Sequence, residues 1–350
     1  MPVGQAAANL EQLSYAAVSG MLRGVRDRLQ GSAPASPTSQ ALPYSPVDFD
    51  QSFASLGYAA NQGDNNPLMP LKAPAARIVA GPTGPTWAVW SEGFGDWERR
   101  TPLNAADIGR TQTSSGVHTG IDGTWQGVLN RGDYLLVGVL GDWMRTNVSF
   151  AGTSQGFQLE GPGVGLYSMY LLGNFSADMT AKADFLSLAE NFAGFAPDAT
   201  SNVTNAGVSA NIQYKNLIGH TGFAEPTMGF SFTRTMFGDN AAALGLTDGS
   251  TLRLQSGLRF GNTFDFNGVS VEPTLALLVY SNVVAEGTSL PTTPIPIPLS
   301  PTDRGLVRGE VDPELNVDFN NGYSAYFRSV VRFGSELFGA TAKVGLRKTF

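Results

Sequence analysis

From residue 86 to the C-terminus the chain alternates polar and apolar residues in segment after segment, and a period of two sustained this long is compatible only with sheet. In one segment Ser176, Asp178, Thr180, Lys182 and Asp184 share a face opposite Phe175, Ala177, Met179, Ala181, Ala183 and Phe185. In another, Arg308, Glu310, Asp312, Glu314, Asn316 and Asp318 oppose Val307, Gly309, Val311, Pro313, Leu315, Val317 and Phe319. The same pattern runs through 203–214 and 338–350, where Thr341, Lys343 and Arg347 oppose Ala340, Ala342, Val344 and Leu346. A charged face on one strand is ordinarily a solvated face. A charged face on strand after strand, with apolar side chains opposite, describes a barrel turned inside out, apolar toward lipid and polar toward its lumen.

The spacing predicts strands at 87–98, 115–126, 133–147, 157–172, 175–190, 203–214, 220–234, 250–262, 268–283, 304–319, 323–334 and 337–350. Twelve is an even number, as single-chain bacterial barrels require, and most of these strands are long enough to cross an apolar band of roughly 25 Å when tilted. The connectors alternate in length. Long ones fall at 99–114, 191–202, 235–249 and 284–303, with a medium one at 148–156, and short turns fall at 127–132, 173–174, 215–219, 263–267 and 320–322; only Ser335-Glu336 is short on the long-loop side, and both barrel ends fall on the short-turn side. The expected fold is therefore all-β, a 12-stranded antiparallel transmembrane β-barrel.

Composition agrees where it bears on this. Glycine is about one residue in eight, against a usual share of roughly 7%. The longest apolar runs, Leu135 to Leu140 and Leu275 to Tyr280, fall far short of the ~20 residues of a spanning helix, and the mean hydropathy of −0.05 is what alternation produces. The absence of Cys excludes disulfide scaffolds, Cys-based metal sites and thiol nucleophiles, and it suits a chain that must pass unfolded through an export pore. Two His leave little for an imidazole-ligated metal, so no metal or cofactor is expected. A net charge of −7 argues against a general nucleic-acid binder.

Ahead of the barrel, residues 1–30 contain one expected helix from 9 to 30, with Asn9 as N-cap, Gln12 completing a capping box, and Leu10, Leu13, Ala17, Met21, Val25 and Leu29 at helical spacing. Arg23, Arg26 and Arg28 crowd its last turns, and Gly20 and Gly24 make it thin, as fits a narrow place. Residues 31–85, rich in Pro, Ala, Ser and Asn, read as a linker leading into a barrel domain at 86–350. Met1 to Leu22 carries no Lys or Arg and lacks a continuous apolar core, so it is not read as a secretory signal. An exported barrel then implies a longer precursor, an earlier start, or a remnant with nothing to deliver.

Candidate lumen-facing residues are Arg259, Glu272, Arg308, Glu310, Asp312, Glu314, Arg328, Arg332, Lys343 and Arg347. They either form a hydrated channel in which Glu310, Asp312 and Glu314 grip Arg23, Arg26 and Arg28, or, the reading that cross-strand pairing favours, they neutralise one another between neighbouring strands. His118 and His220 have no Ser or carboxylate at a suggestive offset, so no triad is read and no enzyme is expected. Gly161 to Gly165 lacks the Lys and helix of a phosphate loop. Arg131-Gly132-Asp133 falls in a short turn, and Asn65-Asn66 in the linker. Trp87, Trp90, Trp97, Trp125 and Trp143 are expected to form interfacial girdles.

Several segments together resemble the translocator of autotransporters, the type V secretion class. Phe350 at the terminus after Lys343-Val344-Gly345-Leu346-Arg347 is similar to the C-terminal strand signal read by the barrel assembly machinery, with Val344, Gly345, Leu346 and Phe350 as its elements. Trp90 to Trp97 resembles the Trp-rich first strand of such barrels, and Glu225-Pro226 and Glu272-Pro273 resemble their acidic-Pro strands. Leu10-Glu11-Gln12-Leu13-Ser14 and the helix ending in Arg26-Asp27-Arg28-Leu29 resemble the helical segment that closes the passenger. The resemblance implies a monomeric barrel in the outer membrane of a Gram-negative bacterium, long loops extracellular, with the helix in or near the lumen. Its implied partners are lipid and lipopolysaccharide, the assembly machinery and its own passenger segment. The implied function is export or surface anchoring of an N-terminal passenger. The alternative is a stand-alone outer-membrane pore or surface-loop binding protein with residues 1–85 as plug.

Overall fold

A computed structural model describes residues 3–31, 84–102, 109–130, 132–152, 154, 156–191, 200–219, 221–238, 247–286, 304–319 and 321–350. The elements in chain order are α1 (Val3–Gly31), β1 (Thr86–Arg100), β2 (Arg110–Gln126), β3 (Asp133–Phe150), β4 (Gly156–Leu172), β5 (Phe175–Asn191), β6 (Thr200–Tyr214), β7 (Asn216–Ile218), β8 (Gly222–Phe237), β9 (Gly249–Asn262), β10 (Phe264–Phe266), β11 (Val269–Ala285), β12 (Val307–Asp318), β13 (Tyr323–Phe333) and β14 (Leu337–Thr349). Twelve long strands pair antiparallel with their neighbours, and β14 closes the ring on β1 from Ala88↔Thr349 to Arg100↔Leu337. The short strands β7 and β10 only extend the hairpins into β8 and β11. Closure leaves no unpaired edge, which is the condition for backbone to lie in hydrocarbon.

Side chains alternate as the period requires. On β3, Leu136, Leu140, Met144 and Val148 are buried while Val137, Val139 and Trp143 are exposed. Exposed aromatics gather toward both strand ends. Trp87, Phe175, Tyr214, Tyr323 and Phe350 lie at the short-turn end, and Trp97, Trp143, Phe185, Phe333 and Phe338 toward the long-loop end, with Phe230, Phe232 and Phe327 between them. Trp87 packs edge-on to Trp125, and Trp97 to Phe338, at centroid separations of 6.2 and 6.1 Å. Ten residues of tilted strand between Trp87 and Trp97 rise roughly 25 Å, the height of a lipid-facing band. Trp90 departs from the expected girdle. It points inward, 2% exposed, and its indole donates to the Tyr167 hydroxyl at 2.6 Å.

Glycine excess has a specific use. Trp90, Tyr167 and Tyr326 lie directly across from Gly120, Gly138 and Gly345, and each ring covers its glycine so closely that a Cβ there would stand 2.3 to 2.6 Å from ring atoms. These joints let large rings lie flat on the lumen wall while α1 passes over them.

The helix begins earlier than its capping pattern suggests. It runs through Asn9 from Val3, because Ala6, Ala7 and Ala8 are strong helix formers and are buried against the wall, and the Asn9 amide instead donates to Glu98 at 3.3 Å. Twenty-nine residues at ~1.5 Å each make it roughly 43 Å long, longer than the band. None of the described helices is long and apolar enough to cross a membrane by itself.

Candidate functional site: the helix-filled lumen

The direction of α1 is fixed by contacts at both ends. Near its start, Asn205 donates to the Ala7 carbonyl at 2.9 Å and Asn9 reaches Glu98, both toward the long-loop mouth; near its finish, Gln30 donates to the Gly173 carbonyl in the β4–β5 turn. The start of β1 lies at that same short-turn end, where the Phe350 amide bonds the Trp87 carbonyl. The helix therefore threads the barrel from long-loop mouth to short-turn mouth, and β1 sets out again from the end that the helix reaches.

The lumen has two kinds of wall, and this corrects the expectation of a polar interior on every strand. Toward β3 and β4, joined by Trp90 and Phe94 of β1, Leu186 and Leu188 of β5 and Val203 of β6, the wall is largely apolar. Ala6, Ala7, Leu10 and Leu13 pack among Met144, Phe157, Leu159, Leu186 and Leu188, and Val18, Met21, Leu22 and Val25 among Trp90, Leu136, Leu140, Tyr167 and Met169. A helix with apolar positions on one side and Gln12, Tyr15, Ser19 and Arg23 on the other is thus fixed in rotation as well as in position. Leu22→Ala, at a site with no exposure, is expected to cost about 2–5 kcal/mol of helix docking. Trypsin cleavage at Arg23 should report it, and unchanged protection would mean that the apolar face does not hold the helix.

The other wall carries charge. All ten candidate lumen residues, Arg259, Glu272, Arg308, Glu310, Asp312, Glu314, Arg328, Arg332, Lys343 and Arg347, are buried inside the ring, and many of them pair across strands. Arg328 forks onto Asp312, Arg253 holds Glu310 at 3.1 Å, Arg308 pairs with Glu336, Arg332 with Asp96, and Arg347 with Asp122. The helix joins these pairs without replacing them. Arg23 reaches Asp312 and Glu314 at 3.6 and 3.7 Å, but Arg26 turns to Glu225 at 2.7 Å and Arg28 to Asp318 at 3.4 Å, so the acidic trio grips only the first of the three arginines. Two barrel cations also bond the helix backbone. Lys343 donates to the Leu13 carbonyl and Arg328 to the Ala16 carbonyl, each at 2.8 Å. Gly20 permits the second, since a Cβ there would stand 3.1 Å from the Arg328 guanidinium.

The tightest cluster centres on Asp27, which the spacing of arginines did not single out. Its carboxylate accepts from Arg259 at 2.7 Å, Lys215 at 3.0 Å and Arg26 at 3.1 Å, and Glu225 and Glu272 complete the network. A second cluster lies half-way up the helix. Ser14 Oγ sits 2.9 Å from His118 Nε2 and accepts from Lys182 at 2.8 Å; Lys182 bridges Asp142 and Asp184, whose carboxylates fold over Gly163 from either side. Glu92 approaches His118 Nδ1 at 3.6 Å. A Ser, a His and a carboxylate thus do meet, against expectation, because α1 lays Ser14 over the β1–β2 hairpin, where Glu92 and His118 stand opposite each other. The His118 to Glu92 separation exceeds a hydrogen bond, and all three side chains are buried between the helix and the wall, where they seat α1. His220, Arg131 and Asn65-Asn66 lie outside the described residues. Asp133 of the adhesion-like tripeptide is committed to its own turn, accepting from the amides of Val128, Leu129 and Asn130 at 2.7 to 2.9 Å. Among the described residues no three His, Cys or acidic side chains are placed to hold a metal.

Of the residues expected to form the terminal-strand signal, Val344, Leu346 and Phe350 face outward, 58%, 64% and 71% exposed, and Gly345 lies beneath Tyr326.

Comparison with known proteins places these features. Residues 89–328 match the family described as autotransporter beta-domain. Among solved structures, the chain is similar to the beta domain of the Bordetella autotransporter BrkA, with 18% identity, TM-score 0.60, and coverage of 75% of this chain and 99% of that one. It is also similar to the translocator domain of NalP from Neisseria meningitidis, with 14% identity, TM-score 0.55, and coverage of 77% and 89%. A third is the transport unit of AIDA-I from Escherichia coli, with 11% identity, TM-score 0.52, and coverage of 85% and 97%. No curated protein is significantly similar in sequence.

Proposed function

Because the chain belongs to the autotransporter beta-domain family, a family of outer-membrane translocators in Gram-negative type V secretion, we propose that its barrel delivers whatever precedes α1 to the long-loop side and holds it there by the helix. The observation that carries this is the polarity of α1. Chain entering from β1 returns through the centre of its own barrel and leaves at the opposite mouth, so a passenger attached before Val3 emerges among the long loops. Short turns are periplasmic in outer-membrane barrels, which puts that mouth outside the cell.

In this reading residues 1–30 end the passenger, 31–85 lead back to the barrel, and 86–350 form a monomeric translocator. The aromatics gathered toward the two strand ends meet the lipid and lipopolysaccharide headgroups. Val344, Gly345, Leu346 and Phe350 present the terminal strand to the barrel assembly machinery, and catalysis has no part. The chain is fused behind a signal peptide and an epitope tag to test this. The tag should be detected on intact cells and removed by added protease, and the chain's lack of Cys lets Thr101→Cys accept an impermeant maleimide from outside while Leu129→Cys does so only after permeabilisation. A tag held in the periplasm, with Thr101→Cys still labelled from outside, would replace the translocator by a plugged pore. Phe350→Ala is expected to lower the amount of heat-modifiable barrel at equal expression, and an undiminished yield would remove Phe350 from the signal.

A further inference from the structure

The helix fills the lumen unevenly. Against the apolar part of the wall it is closely packed, but beside Gln12, Tyr15, Ser19 and Arg23 a cavity of about 80 Å³ remains toward β6, β8, β9 and β11 to β14. Five cationic side chains line it, Arg23, Arg253, Arg328, Arg332 and Lys343, against one carboxylate, Glu310. The carboxylates that pair with these cations stand mostly behind them. Asp312 lies behind Arg328, Asp96 and Glu98 behind Arg332, and Glu92 behind Lys343 at 3.9 Å.

What remains unsatisfied points one way. Among the residues that line the cavity, the buried side-chain atoms without a hydrogen bond are Gln12 Nε2, Arg23 Nε and Nη2, Arg253 Nε and Arg332 Nε, and every one is a donor. Arg23 is 9% exposed, and its nearest carboxylate oxygens are 3.6 and 3.7 Å away. Water answers such a set poorly, since each molecule that accepts two hydrogen bonds brings two protons needing acceptors of their own. An anion accepts several and brings none. The volume suits one small ion and a water or two, a water's share of liquid being about 30 Å³.

We propose that this cavity is a binding site for a small inorganic anion, chloride or an oxyanion such as phosphate, held between Arg23 of the helix and the Arg253 and Arg332 side of the wall. The bound anion screens Arg23 from Arg328, whose guanidinium crosses the helix at Gly20, and so completes the seat of α1. The inference goes beyond translocation and does not depend on what the barrel carries.

The test uses the full chain folded in zwitterionic detergent. Chlorine NMR should show a chloride line broadened beyond that of empty micelles, and inorganic phosphate should compete the excess away. The Arg23→Gln/Arg253→Gln double variant, checked as folded by heat-modifiable mobility, should return the line to the micelle background. Arg23→Gln alone, which leaves the wall untouched, serves should the double variant not fold. Broadening abolished by the variants but insensitive to phosphate would assign the site to chloride. A wild-type line no broader than empty micelles, or variants that broaden it as the wild type does, would overturn the proposal.

Discussion

Asp27→Ala opens the barrel. The substitution removes the carboxylate that Arg259, Lys215 and Arg26 share and leaves three buried cations to two carboxylates, Glu225 and Glu272, a loss of about 3–5 kcal/mol where one member of a buried ionic cluster is deleted. Because the cluster joins α1 to the wall, the cost falls on docking and not on the ring, which keeps its strand pairing. In planar bilayers the variant should pass a large, fluctuating current where the wild type passes little, and trypsin should cut at Arg23, Arg26 and Arg28. Asp27→Asn, which keeps the shape and some hydrogen bonding, should do the same more weakly. Glu310→Gln should leave the helix seated, since Glu310 is held by Arg253 and not by any helix residue. Wild-type current and wild-type protection in Asp27→Ala would show that the latch lies elsewhere.

The second large effect concerns the wall itself. Gly138→Val places a Cβ 2.3 Å from the Tyr167 ring, so the ring must leave its seat. With it goes a hydrogen-bonded chain in which Trp90 donates to the Tyr167 hydroxyl at 2.6 Å, that hydroxyl donates to Asp122 at 2.9 Å, and Arg347 holds Asp122 at 2.6 Å. Overpacking of about 1–3 kcal/mol and roughly 1 kcal/mol for each lost hydrogen bond sum to about 3–5 kcal/mol of barrel stability. Urea unfolding in detergent measures it. Tyr167→Phe removes the hydroxyl but leaves the ring over the glycine, and should cost only about 1–2 kcal/mol. If Gly138→Val proved the milder of the two, ring and glycine would not be acting as a joint.

The strands were legible because their signal is local: a period of two needs only ten residues to show itself. Strand number and alternating connector lengths then fix the closed ring. The helix start was obscured by a false cap, since Asn9 and Gln12 stand at capping-box spacing while the alanines before them are held helical by burial that no local pattern displays. The apolar part of the wall was hidden for a related reason. On β3, Leu136, Leu140, Met144 and Val148 face inward and Val137, Val139 and Trp143 outward, so both faces are apolar; only the run Leu135 to Leu140 hinted at it. Trp90 looked like its neighbours in a Trp-rich strand, although its even number places it with the inward set. The meeting of Ser14, His118 and Glu92, and of Asp27 with Arg259 and Lys215, depends on contacts up to 232 residues apart and has no local trace.

The course of α1 along the barrel axis also decides how the assembly bears load. A pull on chain preceding Val3 draws the helix lengthwise toward the long-loop mouth, so the Lys343 and Arg328 bonds to its carbonyls, the Ser14 seat and the Asp27 cluster are all strained sideways and at once. No contact can be peeled before the next. The apolar wall adds friction over the whole length, and survival under a pull is set by the rate at which every contact fails together. A rivet seated in this way holds against tension along its shank, which is the direction in which anything tethered at a cell surface is tugged.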